Sequence, residues 1–93
     1  MQLYYKDLNL GDVIEQGQDF PWQLGTLIPN SNTEAFRALF NYLTDEEQTK
    51  DPPFAKELLE DSNWSIVSDS GAKRGIMVPA VHPDNSIWWV WTD

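Results

Sequence analysis

The stretch SNTEAFRALFNYL, residues 31–43, carries the clearest helical pattern in the chain and divides it into two strand-like parts. Ser31 and Glu34 have the spacing of a capping box, in which two side chains satisfy free amide groups at the start of a helix. Apolar residues then recur at intervals of three and four, as they do on one buried face of a helix. These residues are Phe36, Leu39, Phe40 and Leu43. The stretch therefore predicts a helix that packs through this face.

The residues before this helix have the pattern of short strands separated by turns. A β-prone segment at Leu3–Tyr5 comes first, and Val13 with Ile14 follows a turn. Residues 22–28 form a further candidate strand, which contains Gly25. A glycine within a strand indicates a bulge or a close approach of another backbone segment, so we expect one of these at this position.

A second, shorter helix is predicted after Asp51, from about residue 52 to residue 61. Aspartate is a favourable helix cap, and Pro52 suits the first helical position, where a missing N–H group has no helical partner to lose. This helix would bury Phe54 and Leu58 and leave its charged residues in water.

The last third of the chain predicts a three-stranded antiparallel meander, with strands at residues 64–67, 76–81 and 86–92. Proline cannot donate a hydrogen bond to a neighbouring strand, so Pro79 favours an edge position or a bulge for the second strand. Alternation along the third strand places Trp89 and Trp91 on one face and Trp88 on the other. We expect most of these rings to pack in the core.

Together these elements predict one α+β domain over residues 1–93. Its architecture would be a mostly antiparallel sheet with a C-terminal three-stranded meander and two helices packed on one face. A chain of this length fits one domain and leaves no room for two independent cores.

The charge of the chain favours some partners and excludes others. Fifteen acidic residues stand against six basic ones, for a formal net charge of −9. Nucleic acids and anionic membranes are bound mainly through Lys and Arg, so we expect neither as a partner. A basic protein would instead be attracted. The N-terminal residues lack the pattern of a signal peptide and no segment approaches the length of a membrane span, which predicts a cytoplasmic protein.

No combination of residues indicates catalysis, a metal site or a cofactor. Cysteine is absent, which excludes thiolate nucleophiles and thiolate zinc sites. His82 is the only histidine, and one histidine cannot build the usual multi-histidine zinc site. Asp45, Glu46 and Glu47 are consecutive, so their carboxylates would fan out around a helix axis instead of converging on one site. We therefore expect neither enzyme activity nor a bound cofactor.

Acidic and aromatic side chains are the better candidates for contact with a partner. Exposed carboxylates pair with Lys and Arg across interfaces, and tryptophan is enriched among the residues that contribute most to binding. The predicted protein-binding residues are Asp45, Glu46, Glu47, Glu57, Glu60, Asp61 and Trp88.

Residues 19–40 resemble part of a group of small bacterial proteins, some of which are immunity proteins of contact-dependent and polymorphic toxin systems. The resemblance depends on the segment DFPWQLG (residues 19–25), followed by Pro29, Phe36, Leu39 and Phe40. It implies a small, acidic, cytoplasmic and non-enzymatic protein that covers the active site of a toxin, and it identifies no contact residues. The alternative is a packing role, in which Trp22 covers the helix face.

The predicted function is thus a non-enzymatic, acidic protein-binding module, such as an immunity or inhibitor protein that neutralises a basic partner. Two alternatives remain open at this point. One is a small-molecule-binding or sensor domain with a pocket lined by tryptophan, and the other is a nucleic-acid mimic that occupies a DNA-binding protein.

Overall fold

Short strands alternate with turns along most of the chain. A computed structural model describes residues 1–45 and 54–92. The strands are β1 (Gln2–Tyr5), β2 (Leu8–Asp19), β3 (Trp22–Pro29), β4 (Trp64–Val67), β5 (Lys73–Gly75), β6 (Ala80–Val81) and β7 (Ser86–Trp89). Between β3 and β4, a 3-10 turn at Thr33–Phe36 leads directly into helix α1 (Arg37–Thr44). Two more 3-10 turns follow, at Lys56–Leu59 and Asp61–Asn63.

The seven strands of the described residues form one antiparallel sheet whose two ends are joined. The strand order is β5-β4-β1-β2-β3-β7-β6. Beyond these strands, Ile76 and Trp91 form an antiparallel bridge. The Met77 N–H donates to the Val90 carbonyl at 2.9 Å, and the Thr92 N–H donates to the Gly75 carbonyl at 3.0 Å. Because the residues after β5 pair with those after β7, the sheet closes on itself and has an inside and an outside.

Alternate side chains of most of the strands fill the inside of the closed sheet. Leu3 lies opposite Ile66, and Val13 lies opposite Leu27. Burying a side chain of this size contributes about 1.5–3 kcal/mol. The buried apolar side chains of the described residues form one core: Leu3, Leu10, Val13, Leu27, Phe36, Leu39, Phe40, Trp64, Ile66, Ile76, Val81, Ile87 and Trp89.

An aromatic cluster around Trp64 holds α1 and the turn before it against the sheet. The centroid of the Trp64 ring lies 5.1 Å from that of Tyr5, 5.9 Å from that of Phe36 and 6.0 Å from that of Phe40. Aromatic pairs at such distances are stabilised beyond the burial of their area. The cluster therefore joins β1, β4 and the helix.

The predicted helix exists, but its start and its buried face differ from the prediction. No side chain caps the turn at Thr33–Phe36, so the capping box is not formed. Instead, the Thr33 hydroxyl accepts a hydrogen bond from the Asn30 N–H at 2.9 Å and donates one to the Leu10 carbonyl at 2.6 Å. Phe36, Leu39 and Phe40 are buried as predicted, whereas Leu43 is exposed.

The prediction of two helices packed on one face of a sheet is wrong. Where the second helix was expected, the described residues contain only the 3-10 turns at Lys56–Leu59 and Asp61–Asn63, and residues 52 and 53 lie outside the described residues. The indole N–H of Trp64 donates to the Leu58 carbonyl at 3.0 Å, which uses a carbonyl that a continuing helix would need for itself. Within the described part of the chain, no helix is long and apolar enough to cross a membrane.

The C-terminal segments are antiparallel neighbours in the order of the predicted meander, but the second strand is not continuous. β4 pairs with β5, Ile76 after β5 bridges to Trp91 after β7, and β6 pairs with β7. The strand predicted at 76–81 is interrupted, and only Ala80–Val81 remains as β6. Pro79, which cannot donate a ladder hydrogen bond, lies in the interruption.

The expectation of a bulge or close approach at Gly25 is confirmed. The register between β2 and β3 shifts between Glu15 and Gly17, opposite Gly25. A Cβ atom on Gly25 would lie 2.5 Å from the Ile14 carbonyl oxygen, which is closer than any side chain tolerates. Glycine is therefore required where the bulge brings the two backbones together.

Replacing Gly25 by alanine should separate β2 from β3 at the bulge. We expect Gly25→Ala to lower the free energy of unfolding by about 1–3 kcal/mol, the range found for added atoms in packed regions. Urea denaturation followed by tryptophan fluorescence measures this change. Gly17→Ala is the matched control, because no atom lies within 4 Å of a Cβ at that position of the same hairpin. The control should leave stability unchanged or raise it by up to about 1 kcal/mol. Equal losses in the two variants would contradict the close approach.

Candidate functional site

The outside of β2, β3 and β7 presents apolar side chains to solvent. Ile14 lies opposite Thr26, Leu24 lies opposite Trp88, and Trp22 lies two residues before Leu24 on the same face of β3. Ile14 is 50% exposed and Trp88 is 42% exposed, and Trp22 and Ile28 are also exposed. We call this surface the outer face; its apolar residues are Ile14, Trp22, Leu24, Ile28 and Trp88.

Two tryptophans lie in contact at the centre of the outer face. The ring centroids of Trp22 and Trp88 are 6.3 Å apart in an edge-to-face arrangement, and His82 packs against Trp88 with centroids 5.0 Å apart. The packing role in which Trp22 covers the helix face is therefore not what is found. Each ring limits the motion of the other, so a partner would meet a partly ordered apolar surface.

Acidic residues border the outer face. Asp12 pairs with Ile28, and Asp19 pairs with Trp22. Asp84 is exposed in the turn before β7. β2, β3 and β7 contain no Lys or Arg. Arg37 reaches the turn, where its guanidinium donates to Asn85 Oδ1 at 2.7 Å, and its Nε atom lies 3.7 Å from Glu34 Oε1, so its charge is engaged within the chain.

The turn beside Trp88 is fixed by its own hydrogen bonds. The His82 N–H donates to the Ser86 carbonyl and the Asn85 N–H donates to the His82 carbonyl, each at 2.9 Å. Asp84 Oδ1 accepts from the Ser86 N–H at 2.9 Å. This hydrogen bond, followed by one from the Ser86 hydroxyl, lowers the pKa of the Asp84 carboxyl from its usual 3.8.

A shallow cavity of about 420 Å³ lies at this turn. It is lined by His82, Pro83, Asp84, Ser86 and Trp88. The His82 Nε2 atom is buried, and no described residue provides it with a hydrogen-bond partner. Among these lining residues, Trp88 is the one tryptophan. Among the described residues, no group of three or more His, Asp or Glu side chains is placed to hold a metal ion.

The predicted binding residues lie on several parts of the molecule. Glu57 accepts a hydrogen bond from Lys6 Nζ at 2.9 Å, which raises the pKa of Lys6, and Asp61 accepts one from the Val78 N–H at 2.8 Å. Asp45 and Glu60 are exposed. Glu46 and Glu47 lie outside the described residues. Of the predicted residues that the structure describes, Trp88 alone belongs to the outer face.

Sequence reasoning missed Ile14, Trp22 and Ile28 as parts of a surface. The signal was present in β3, where Trp22, Leu24 and Ile28 share one face while Leu27 occupies the other. A strand with apolar residues on both faces is either covered on both sides or awaits a partner. The sequence of β3 alone does not distinguish a strand covered on both faces from one with an open face, because the closure of the sheet determines which face is inside.

No protein-family model, curated protein or solved structure matches this chain. The resemblance of residues 19–40 to immunity proteins therefore stays a prediction.

The hydrogen bonds to Asp84 make its titration a direct test of the turn. By NMR we expect the pKa of the Asp84 carboxyl to lie below 3.8. In Ser86→Ala this pKa should rise only part of the way towards 3.8, because the main-chain N–H of residue 86 lowers it more than the hydroxyl does. A lowered pKa adds stability that is present above the unfolded pKa of about 3.9 and is lost as the pH falls through the folded pKa. A wild-type pKa at or above 3.8 would show that the turn is built differently.

Proposed function

We propose that the protein is a non-enzymatic, acidic module of the cytoplasm that binds and neutralises a basic protein, as an immunity or inhibitor protein does. The observation that carries this proposal is the outer face, where an exposed tryptophan pair is bordered by carboxylates and the strands supply no basic residue. Such a surface combines an apolar anchor with an electrostatic preference for one class of partner.

The apolar part of the outer face is suited to give affinity. Trp88 and Trp22 present large rings that lose little conformational freedom on binding, because each has only two side-chain torsions. Ile14 and Ile28 extend the apolar surface along β2 and β3. Residues of this kind at the centre of an interface, surrounded by polar groups that exclude water, contribute most of the binding free energy.

The charges are suited to give a fast and selective encounter. The net charge of −9 produces a long-range field, and Asp12, Asp19 and Asp84 concentrate part of it at the outer face. The predicted residues Asp45, Glu57, Glu60 and Asp61 contribute to the same field from other parts of the surface. A basic partner would therefore be attracted from a distance and aligned at the outer face by the nearer carboxylates.

Truncating Trp88 should weaken the complex. The partner is obtained by affinity capture from the source cell with the wild-type protein, and binding is then measured with the purified components. We expect Trp88→Ala to raise Kd by about 30-fold or more, as for a central tryptophan of an interface. Leu8→Ala is the control, because Leu8 is also exposed on β2 but lies at the β1–β2 turn. Similar Kd values for the two variants, with both proteins folded by circular dichroism, would refute the outer face as the binding surface.

Reversing the carboxylates at the outer face should slow association. We expect Asp12→Lys/Asp19→Lys to lower the association rate about tenfold at low salt, with the difference shrinking as salt is added. Asp7→Lys/Glu60→Lys makes the same change in net charge elsewhere on the surface and should have a smaller effect. If the control pair slows association more, the partner docks near Asp7 and Glu60 and not at the outer face.

A further inference from the structure

β2 extends beyond its neighbour β1 and leaves part of one edge of the sheet unpaired. β1 and β2 pair as far as Asp12, and the Val13 N–H donates to the Met1 carbonyl at 2.6 Å. From Ile14 to Asp19, β2 pairs with β3 on one side, and no strand of the described residues pairs with it on the other. We call residues 14–19 the free edge. The extended β2–β3 hairpin ends at Phe20, which is 91% exposed.

The backbone of the free edge is oriented to accept another strand. The Val13 N–H and carbonyl both bond to Met1, so they point away from β3. Backbone groups alternate in direction along an antiparallel strand, so those of Glu15 point the same way. Gln18 lies opposite Gln23, which is in register with Trp89 of β7. The Leu27 N–H donates to the Asn85 carbonyl, on the β7 side of β3, and the backbone groups of Gln23 point to the same side by alternation. Gln23 therefore makes no backbone hydrogen bond to Gln18, and the backbone groups of Gln18 point away from β3 to the free edge.

The charge of the free edge selects the kind of strand that can add to it. Residues 14–19 include Glu15 and Asp19 and contain no basic residue. Pairing two copies of this chain edge to edge would bring four carboxylates together. A segment rich in Lys or Arg would instead form favourable cross-strand pairs.

A cavity at the base of the free edge offers a place for an apolar side chain of the added strand. It measures about 230 Å³, and its lining includes Met1, Glu15, Ile66 and Trp91. Arg74 also lines it, with its guanidinium carbon 3.9 Å from the centroid of the Trp91 ring. Because Glu15 shares the inward direction of Val13, a strand paired beside it would place alternate side chains over this cavity.

We propose that an extended segment of the basic partner, with alternating basic and apolar residues, adds to the sheet along residues 14–19. This inference rests on the proposed function and specifies how the partner engages. Main-chain hydrogen bonds to Glu15 and Gln18 supply affinity, and the acidic side chains and the cavity supply selectivity, as in other cases of strand addition. The added strand is an extension of the same sheet that carries the outer face, so one partner covers both.

The test uses the full chain and a ten-residue peptide of alternating lysine and valine. By NMR, the peptide should slow amide hydrogen exchange at Glu15 and Gln18, whereas a peptide of alternating glutamate and valine should not. Gln18→Pro removes the outward N–H without removing a bond to β3 and should weaken peptide binding about tenfold or more. Gln18→Ala keeps that N–H and is the matched control, with binding within about threefold of wild type.

Three results would overturn the inference. The first is equal binding by the proline and alanine variants, with both folded. The second is a lysine–valine peptide that does not bind, or that perturbs only Trp22 and Trp88. The third is a dimer of the free protein that Gln18→Pro dissociates, because a second copy would then occupy the edge. If the peptide does not protect Glu15 and Gln18 but Trp88→Ala still weakens binding of the captured partner, strand addition is refuted and the proposed function is not. Absence of any basic partner refutes the proposed function itself.

Discussion

The pairing of the residues after β5 with those after β7 is the constraint on which the rest of the structure depends. The Ile76–Trp91 bridge joins the two arms of the sheet, and closure gives every strand an inward and an outward face. Ile87 and Trp89 then lie inside and Trp88 lies outside, because these residues alternate along β7. Without closure the same strands would form an open sheet, and no face of β3 or β7 would be distinguished by the backbone alone.

Closure also explains why apolar side chains remain outside. The inside is filled by side chains of the sheet. Phe36 and Phe40 of the helical segment pack against Trp64, so they do not cover the outer face. The two further 3-10 turns bury no residue completely. The outer face of β3 and β7 therefore has no helix of the described residues packed across it, although β7 lies between two strands. An apolar surface left in this position costs solubility, and exposed apolar patches are a general feature of interaction sites.

Local patterns in the sequence predicted what depends on neighbouring residues. The stripe of Phe36, Leu39 and Phe40 and the need for glycine at position 25 follow from helical spacing and from strand sterics, and the structure confirms both. The second helix was wrong because a contact with the sheet prevails: the indole N–H of Trp64 in β4 donates to the Leu58 carbonyl. The helix start was wrong for the same reason, since Thr33 binds Leu10 of β2.

The candidate site was harder to predict than the fold because it depends on which face of each strand is inside. Trp88 was found from alternation, but its contact Trp22 comes from a strand more than sixty residues earlier in the chain.

The acidic residues of the site were hard to predict for the same reason. Sequence order draws attention to the dense run after the helix, yet Glu57 and Asp61 are engaged with Lys6 and with the Val78 N–H. Asp12 and Asp19 are isolated in the sequence, and it is the β2–β3 register that sets them beside Ile28 and Trp22. For the proposed function, the selective feature is therefore the position of a few carboxylates around exposed rings. The total negative charge of the chain would add attraction for a basic partner without specifying a docking site.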